Sequence, residues 1–224
     1  PIQEDTFSQL KLTYLSKDGE EGYPGNLNVT VIYTLRDDNT LDVSYEATSD
    51  QTTVVNLTQH AYFNLTGDFS KSILDHSVEI NASAYLPVDS TLIPTAEKRQ
   101  VKGTPFDFTE AKNIRRDINE DNEQLKRGKG YDHCWLLNGE NENMKFAASA
   151  YDNSSGRFMA IYTEEPAIQF YTGNFLDGTL PMPGGGTYNH RTGFCLETQH
   201  YPNSPNEDSF PSTVLNAGEV YKTK

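Results

Sequence analysis

A histidine and two carboxylic acids stand in segments of unusual composition for an otherwise polar chain. In Val54-Val55-Asn56-Leu57-Thr58-Gln59-His60-Ala61-Tyr62-Phe63-Asn64-Leu65 an apolar run opens into a dense polar and aromatic cluster around one histidine. In Lys129-Gly130-Tyr131-Asp132-His133-Cys134-Trp135-Leu136-Leu137 an acid sits at the mouth of an apolar strand, beside a glycine and two aromatics. In Gly193-Phe194-Cys195-Leu196-Glu197-Thr198-Gln199-His200-Tyr201-Pro202 a period of two places Phe194, Leu196 and Thr198 on one face and Cys195, Glu197 and Gln199 on the other. A glutamate inside such a strand is expelled by its desolvation cost unless something needs it. Imidazole, with an ordinary pKa of about 6.5, and carboxylate can give and take protons near neutral pH.

Composition allows an acid–base site here and leaves other readings open. His60 can be a hydrogen-bonded structural histidine, Asp132 a turn or loop-capping acid, and Glu197 a residue facing solvent from the outer side of a sheet. None of the five histidines (His60, His76, His133, His190, His200) pairs with another histidine or a cysteine at zinc spacing, and Cys-x-x-Cys is absent. No metal is therefore expected, since its ligands would have to meet from distant segments. There is no Gly-x-Ser-x-Gly elbow. Gly184-Gly185-Gly186 has no helix after it and reads as a surface loop, not a phosphate cradle.

The elements that must position these residues read as strands. Val29, Val31, Tyr33 and Leu35 alternate with polar neighbours, Arg36–Thr40 makes a turn, and Leu41, Val43, Tyr45 and Ala47 return. That pattern is an antiparallel hairpin with one buried face. Residues 52–57 and 77–82 read as further short strands, and 145–151 with 157–163 as a second hairpin around Asp152-Asn153-Ser154-Ser155-Gly156. Helix is scarce: 109–126 carries Ile114, Ile118 and Leu125 and reads as a short helix or helical turn within a loop. Many short strands with polar turns point to an antiparallel β-sandwich, with one domain over 1–224 as the simpler organisation.

The 224 residues suffice to bury a core. Charged residues make up 22%, aromatic residues 11%, and the net charge is −14. Such a surface repels phosphate backbones and anionic lipid, which argues against nucleic-acid and membrane partners and favours neutral substrates. No run approaches the roughly 18 apolar residues of a membrane span. Cys134 and Cys195, both in apolar surroundings, read as free buried thiols in a reducing, cytoplasmic setting. The five Asn-x-Ser/Thr sequons then read as an accident of polar β composition.

At its unusual segments the chain resembles the aldose 1-epimerase (galactose mutarotase) family. Residues 56–65 are similar to the family's Asn-x-Thr-Asn-His-x-Tyr-Phe-Asn-Leu signature, with Gln59 where asparagine is common. Residues 129–133 resemble its Lys-Gly-Tyr/Phe-Asp-His segment, and 169–175 and 195–202 two more. Gly22-Tyr23-Pro24-Gly25-Asn26-Leu27, Leu92-Ile93-Pro94-Thr95 and Gly103-Thr104-Pro105-Phe106-Asp107-Phe108 also fit in order. The resemblance implies an all-β, large antiparallel β-sandwich (the galactose mutarotase-like supersandwich) and interconversion of the α and β anomers of hexoses such as galactose or glucose. It implies His60 as general acid, Glu197 as general base, Asp132 and Gln169 as contacts to sugar hydroxyls, and no cofactor.

In that chemistry a base takes the anomeric hydroxyl's proton while an acid protonates the ring oxygen. The open-chain aldehyde turns about its first carbon–carbon bond and recloses with the roles reversed. Burial that raises the Glu197 pKa would improve it as a base. The family's N-terminal portion, with an Asn-Arg pair and an earlier histidine that help hold the sugar, has no counterpart here, and the end stops short of the family's last strand. The sandwich is therefore expected to be incomplete at the N-terminus, with raw sheet edges and uncovered core, and turnover by this chain weak or absent. A non-catalytic carbohydrate-binding β-sandwich and a hexose-6-phosphate 1-epimerase are the alternatives, the latter disfavoured because no arginine cluster lies near the motifs. A glycoside hydrolase would need Asp132 and Glu197 to flank the scissile bond. The acid and base are expected on opposite sides of a space the size of a sugar ring.

Overall fold

Alternating apolar and polar residues become antiparallel strands throughout a computed structural model that describes residues 2–3, 6–140 and 143–224. Where the sequence suggests one domain, the chain groups into two compact units, residues 1–59 with 204–224, and residues 60–203.

The first unit carries β1 (Ile2–Gln3), β2 (Phe7–Ser16), β3 (Leu27–Arg36), β4 (Leu41–Ser49) and β5 (Thr53–Val54). The second carries β6 (Ser77–Ile80), β7 (Ala82–Leu86), β8 (Arg99–Gln100), β9 (Lys112–Asn113), the helix α1 (Glu123–Gly128), β10 (Asp132–Leu137), β11 (Lys145–Asp152), β12 (Arg157–Thr163), β13 (Ala167–Tyr171) and β14 (Cys195–Gln199). The chain then returns to the first unit for β15 (Val214–Leu215) and β16 (Val220–Thr223).

In the first unit the sheet order is β1-β2-β3-β4-β16, and β15 pairs with β5. Its register puts Leu10, Leu12 and Tyr14 opposite Tyr33, Val31 and Val29, which in turn face Val43, Tyr45 and Ala47, making one apolar face. That face is covered at β4, where Ala47 packs with Val55 and Leu215. It is bare at β2, where Leu10, Leu12 and Tyr14 are 43%, 48% and 59% exposed.

The second unit is a sandwich of a five-stranded sheet, β14-β13-β10-β7-β8, and a four-stranded sheet, β12-β11-β6-β9. Both sheets contribute to one core, in which Val78, Ile80, Ala148 and Ala150 join Tyr85, Trp135, Ile168 and Phe170. Aromatic rings fill it: Tyr85 stacks on Phe106 at 4.2 Å, and Phe108 meets Phe170 edge to face at 5.5 Å. Polar ends inside it are satisfied, with Trp135 Nε1 donating to the Phe106 carbonyl at 2.9 Å and Tyr131 Oη to that of Pro105 at 3.0 Å.

The predicted helix over 109–126 resolves into a turn of 3₁₀ helix at Ile114–Arg116 and α1, whose start is fixed by Asn122 Oδ1 accepting from the Gln124 and Leu125 amides. The 52–57 strand shrinks to β5, and 77–82 divides between β6 and β7 at Asn81, whose amide turns to the Ala147 carbonyl. No helix among the described residues is long and apolar enough to cross a membrane.

Candidate active site

Strand pleating decides which side chains share the outer face of the five-stranded sheet. Tyr131, just before β10, and His133 and Trp135 on it are buried, which leaves Asp132 and Cys134 on the opposite face. Asp132 and Cys195 are both register partners of Tyr171, while Cys134 and Glu197 are both partners of Gln169. Two cross-strand rows result, Asp132–Tyr171–Cys195 and Cys134–Gln169–Glu197. Of these, Asp132, Tyr171, Cys134, Gln169 and Glu197 line a cleft of about 400 Å³, whose lining also includes His60, Tyr62, Val88, Leu92, Pro94 and Pro202.

All four residues singled out in the sequence line this cleft. His60 Nε2 lies 3.3 Å from Glu197 Oε1. The two were expected across a ring-sized space and instead touch. The pairing of the two segments gives the reason: Phe63 and Phe194 exchange backbone hydrogen bonds, which brings the His60 segment against β14. Gln169 Nε2 donates to Asp132 Oδ1 at 2.8 Å, which fixes the second carboxylate.

Burial sets the electrostatics. The Glu197 carboxyl is pushed up to about 7, by burial first, with His60 opposing and the Asp132 charge adding to the rise. Burial also raises Asp132 above the usual carboxylate range, against the Gln169 hydrogen bond and the His60 charge. The Tyr62 phenol is pushed up to about 12, chiefly by burial, so it stays neutral. Burial holds the Cys134 and Cys195 thiols far above their ordinary range, aided by Glu197, so they stay protonated.

The donor atoms of His60, Cys195 and Glu197 lie within 4.8 Å of one another, the grouping among the described residues that could hold a metal ion. Imidazole, thiolate and carboxylate are donors that zinc accepts. The sequence carries no spacing for such a set because its members come from β14 and from a segment 135 residues earlier, brought together only by the fold. The imidazole and carboxylate of this trio are also the pair suited to proton transfer.

The motif segments interlock below the cleft. Asn174 Nδ2 donates to the carbonyls of Gly128 and Tyr131, and Thr172 Oγ1 donates to Asn174 Oδ1. Gly130, at φ 140°, lies so close to this asparagine that a Cβ there would be 2.4 Å from Asn174 Oδ1. Behind Asp132, its own amide donates to His133 Nδ1, and His133 Nε2 faces Gln124 Oε1 at 3.2 Å. Burial drives the His133 pKa down to about 3, so this ring is a neutral brace and not a proton carrier. Phe63 and Phe194 exchange backbone hydrogen bonds at 2.7 and 3.0 Å, which pins the His60 segment beside β14.

Other lining residues were not singled out from the sequence. Gln199 shares the Glu197 face by period two, and Tyr171 stands two residues from Gln169, so both had a signal. Val88, Leu92 and Pro94 come from a loop closed by the Val88–Pro94 bridge; Leu92 and Pro94 lie in the Leu92-Ile93-Pro94-Thr95 block, whose place in the cleft only the fold reveals.

A family model described as aldose 1-epimerase matches residues 2–224. The chain is 48% identical over 212 residues to the galactose mutarotase of Sus scrofa, covering 95% of this chain and 60% of that protein. It is 42% identical over 217 residues to the aldose 1-epimerase of Escherichia coli K12, covering 96% of this chain and 62% of that one. Among solved structures, a GalM/aldose epimerase homologue from C. elegans superposes with a TM-score of 0.86 at 27% identity, covering all of this chain and 65% of that one. The chain thus spans about 60% of the length of the curated relatives it matches.

Proposed function

Because the chain belongs to the aldose 1-epimerase family, we propose that its cleft interconverts the α and β anomers of free hexoses such as galactose or glucose. Glu197 is the general base and His60 the general acid, with Asp132 and Gln169 holding sugar hydroxyls. The observation that carries this reading is the contact of His60 Nε2 with Glu197 Oε1 at 3.3 Å inside the cleft.

A carboxyl with a pKa of about 7 is substantially ionised at neutral pH and is a stronger base than an ordinary glutamate. It takes the proton from the anomeric hydroxyl as the carbonyl forms and the bond from the anomeric carbon to the ring oxygen breaks. His60, in its protonated form, gives its Nε2 proton to the departing ring oxygen. After rotation about the first carbon–carbon bond, the ring hydroxyl attacks the other face, its proton returns to His60, and Glu197 returns its own to the new anomeric hydroxyl. Proton count and charge are restored, and each positioned group contributes typically about a hundredfold or more.

No lysine or arginine is among the cleft's lining residues, which supports a neutral sugar over a sugar phosphate. Two buried free thiols and the protein's −14 charge support a reducing, cytoplasmic location and a small-molecule substrate in place of nucleic acid or membrane. The test is polarimetry of fresh α-galactose and α-glucose at pH 7. Expected is weak relaxation that still exceeds the buffer rate, lost in His60→Asn and little affected by added galactose 6-phosphate. Calorimetric binding of galactose with no change in relaxation would instead make this a carbohydrate-binding sandwich.

A further inference from the structure

We propose that Tyr62 is the positioning residue of the proton donor, holding the His60 ring by its face. The inference rests on the acid–base reading above and assigns a residue that the reading leaves without a role.

The His60 side chain is 52% exposed, and its Nε2 meets Glu197 at 3.3 Å. Among the described residues no group hydrogen-bonds its Nδ1. A histidine that works by proton transfer ordinarily has its second nitrogen fixed by a carbonyl or carboxylate, which sets tautomer and orientation. Lacking that partner, the ring would swing about its side-chain bonds and leave the carboxylate. What it has instead is a flat neighbour two residues on: the Tyr62 ring stacks on it with centroids 5.3 Å apart and planes at 27°.

Tyr62 is itself held from two sides. Tyr171 meets it edge to face at 6.1 Å, and the Tyr171 hydroxyl accepts from the Phe175 amide at 2.8 Å. On the other side lies Gly193, where a Cβ would come within 3.2 Å of Tyr62 Cδ1 and 3.3 Å of its Cβ. The glycine that precedes the β14 segment is therefore the space into which Tyr62 fits. The Phe63–Phe194 backbone pair, one residue along on each segment, fixes the distance between the two. A line of contacts runs from Gly193 through Tyr62 to His60 and from there to Glu197. A phenol face also attracts a cation, so the stack is kept when the imidazole is charged. The Tyr62 phenol, pushed up to about 12, is no second base.

The test uses the 224-residue chain and three variants: Tyr62→Phe, which keeps the ring, Tyr62→Leu, which removes it, and Gly193→Ala, which crowds it. The first readout is the NMR position of the His60 ring protons, displaced by the ring current of a stacked aromatic. It needs no turnover. Expected is a displaced signal in the wild type and Tyr62→Phe, a return toward the free-histidine position in Tyr62→Leu, and an intermediate change in Gly193→Ala. The second readout is anomer exchange. Loss of the stack lowers kcat up to about tenfold in Tyr62→Leu, with KM within about twofold and Tyr62→Phe restoring most of the loss. If the His60 signals are the same in Tyr62→Leu as in the wild type, the positioning role is wrong whatever the activity. If they move but no variant, including the wild type, accelerates exchange, the stack stands and the catalytic reading fails. A fall confined to KM would make Tyr62 a sugar contact and overturn the inference.

Discussion

Replacing Glu197 with glutamine removes a buried acid and keeps its shape, and the effect on stability follows from the cleft's electrostatics. Burial, with Asp132 adding and His60 opposing, carries the carboxyl from 4.5 to about 7. Between those values the folded chain holds a proton that the unfolded chain has released. The contribution is therefore fully present below pH 4.5 and is lost as pH rises through 7. The difference between 4.5 and 7, at about 1.36 kcal/mol per pH unit, sets a ceiling of about 3 kcal/mol. The His60 charge is already included in the value of about 7, and pH 5 lies above 4.5, so about 2 kcal/mol of this is expected between pH 5 and pH 8. The assay is urea unfolding of both proteins at pH 5 and pH 8, followed by the single tryptophan, Trp135, which is fully buried in the same unit. His76 and His190, both held low by burial, titrate in both proteins and cancel in the difference. Between pH 5 and pH 8 the glutamine variant should gain about 2 kcal/mol relative to the wild type. Parallel profiles, or a difference of opposite sign, would refute a burial-raised Glu197.

Gly130→Ala would push a Cβ to 2.4 Å from Asn174 Oδ1 at a positive φ, breaking the hub that joins two motif segments; a loss of about 2 kcal/mol or more in unfolding free energy is expected. Lys112, whose Nζ donates to Asp117 Oδ2 and to the Pro105 carbonyl at 2.6 Å and sits 4.0 Å above the Phe108 ring, is buried. Lys112→Met leaves Asp117 to Arg116 alone and should lower stability by about 2–3 kcal/mol, read by the same unfolding curves. His133→Leu removes the acceptor of the Asp132 amide, and calorimetry should show weaker galactose binding in that variant even at pH 7, where His133 is neutral in the wild type.

How much of this was legible from residues follows a physical divide. Period-two alternation places Cys195, Glu197 and Gln199 on one face, with Phe194 and Leu196 turned to the core, as found. Hairpins with short polar turns, such as 28–47 and 145–163, are local and read directly. What could not be read is non-local. The strand β13 is five residues with one polar member, so it has no period to detect, yet Gln169 on it pairs with Glu197 through the sheet register and donates a hydrogen bond to Asp132. Whether Glu197 faces solvent or a cleft depends on which strand lies beside β14, information the strand itself lacks. Within 109–126 the short helical turns expected in a loop are Ile114–Arg116 and α1, but the inward turn of Lys112 and Asp117 toward each other leaves no clue in apolar spacing. The direct contact of His60 and Glu197 is set by the Phe63–Phe194 bridge, 131 residues apart in the chain.

The most direct measurement is exchange NMR of a galactose solution at equilibrium, which reads the α-to-β rate without following any net reaction. With the wild type at pH 7, exchange between the two anomeric signals should exceed the buffer rate, and with Glu197→Gln, folded and present at the same concentration, it should fall back to it. Equal exchange in the two proteins would show that the touching imidazole and carboxylate are not what moves the sugar's protons.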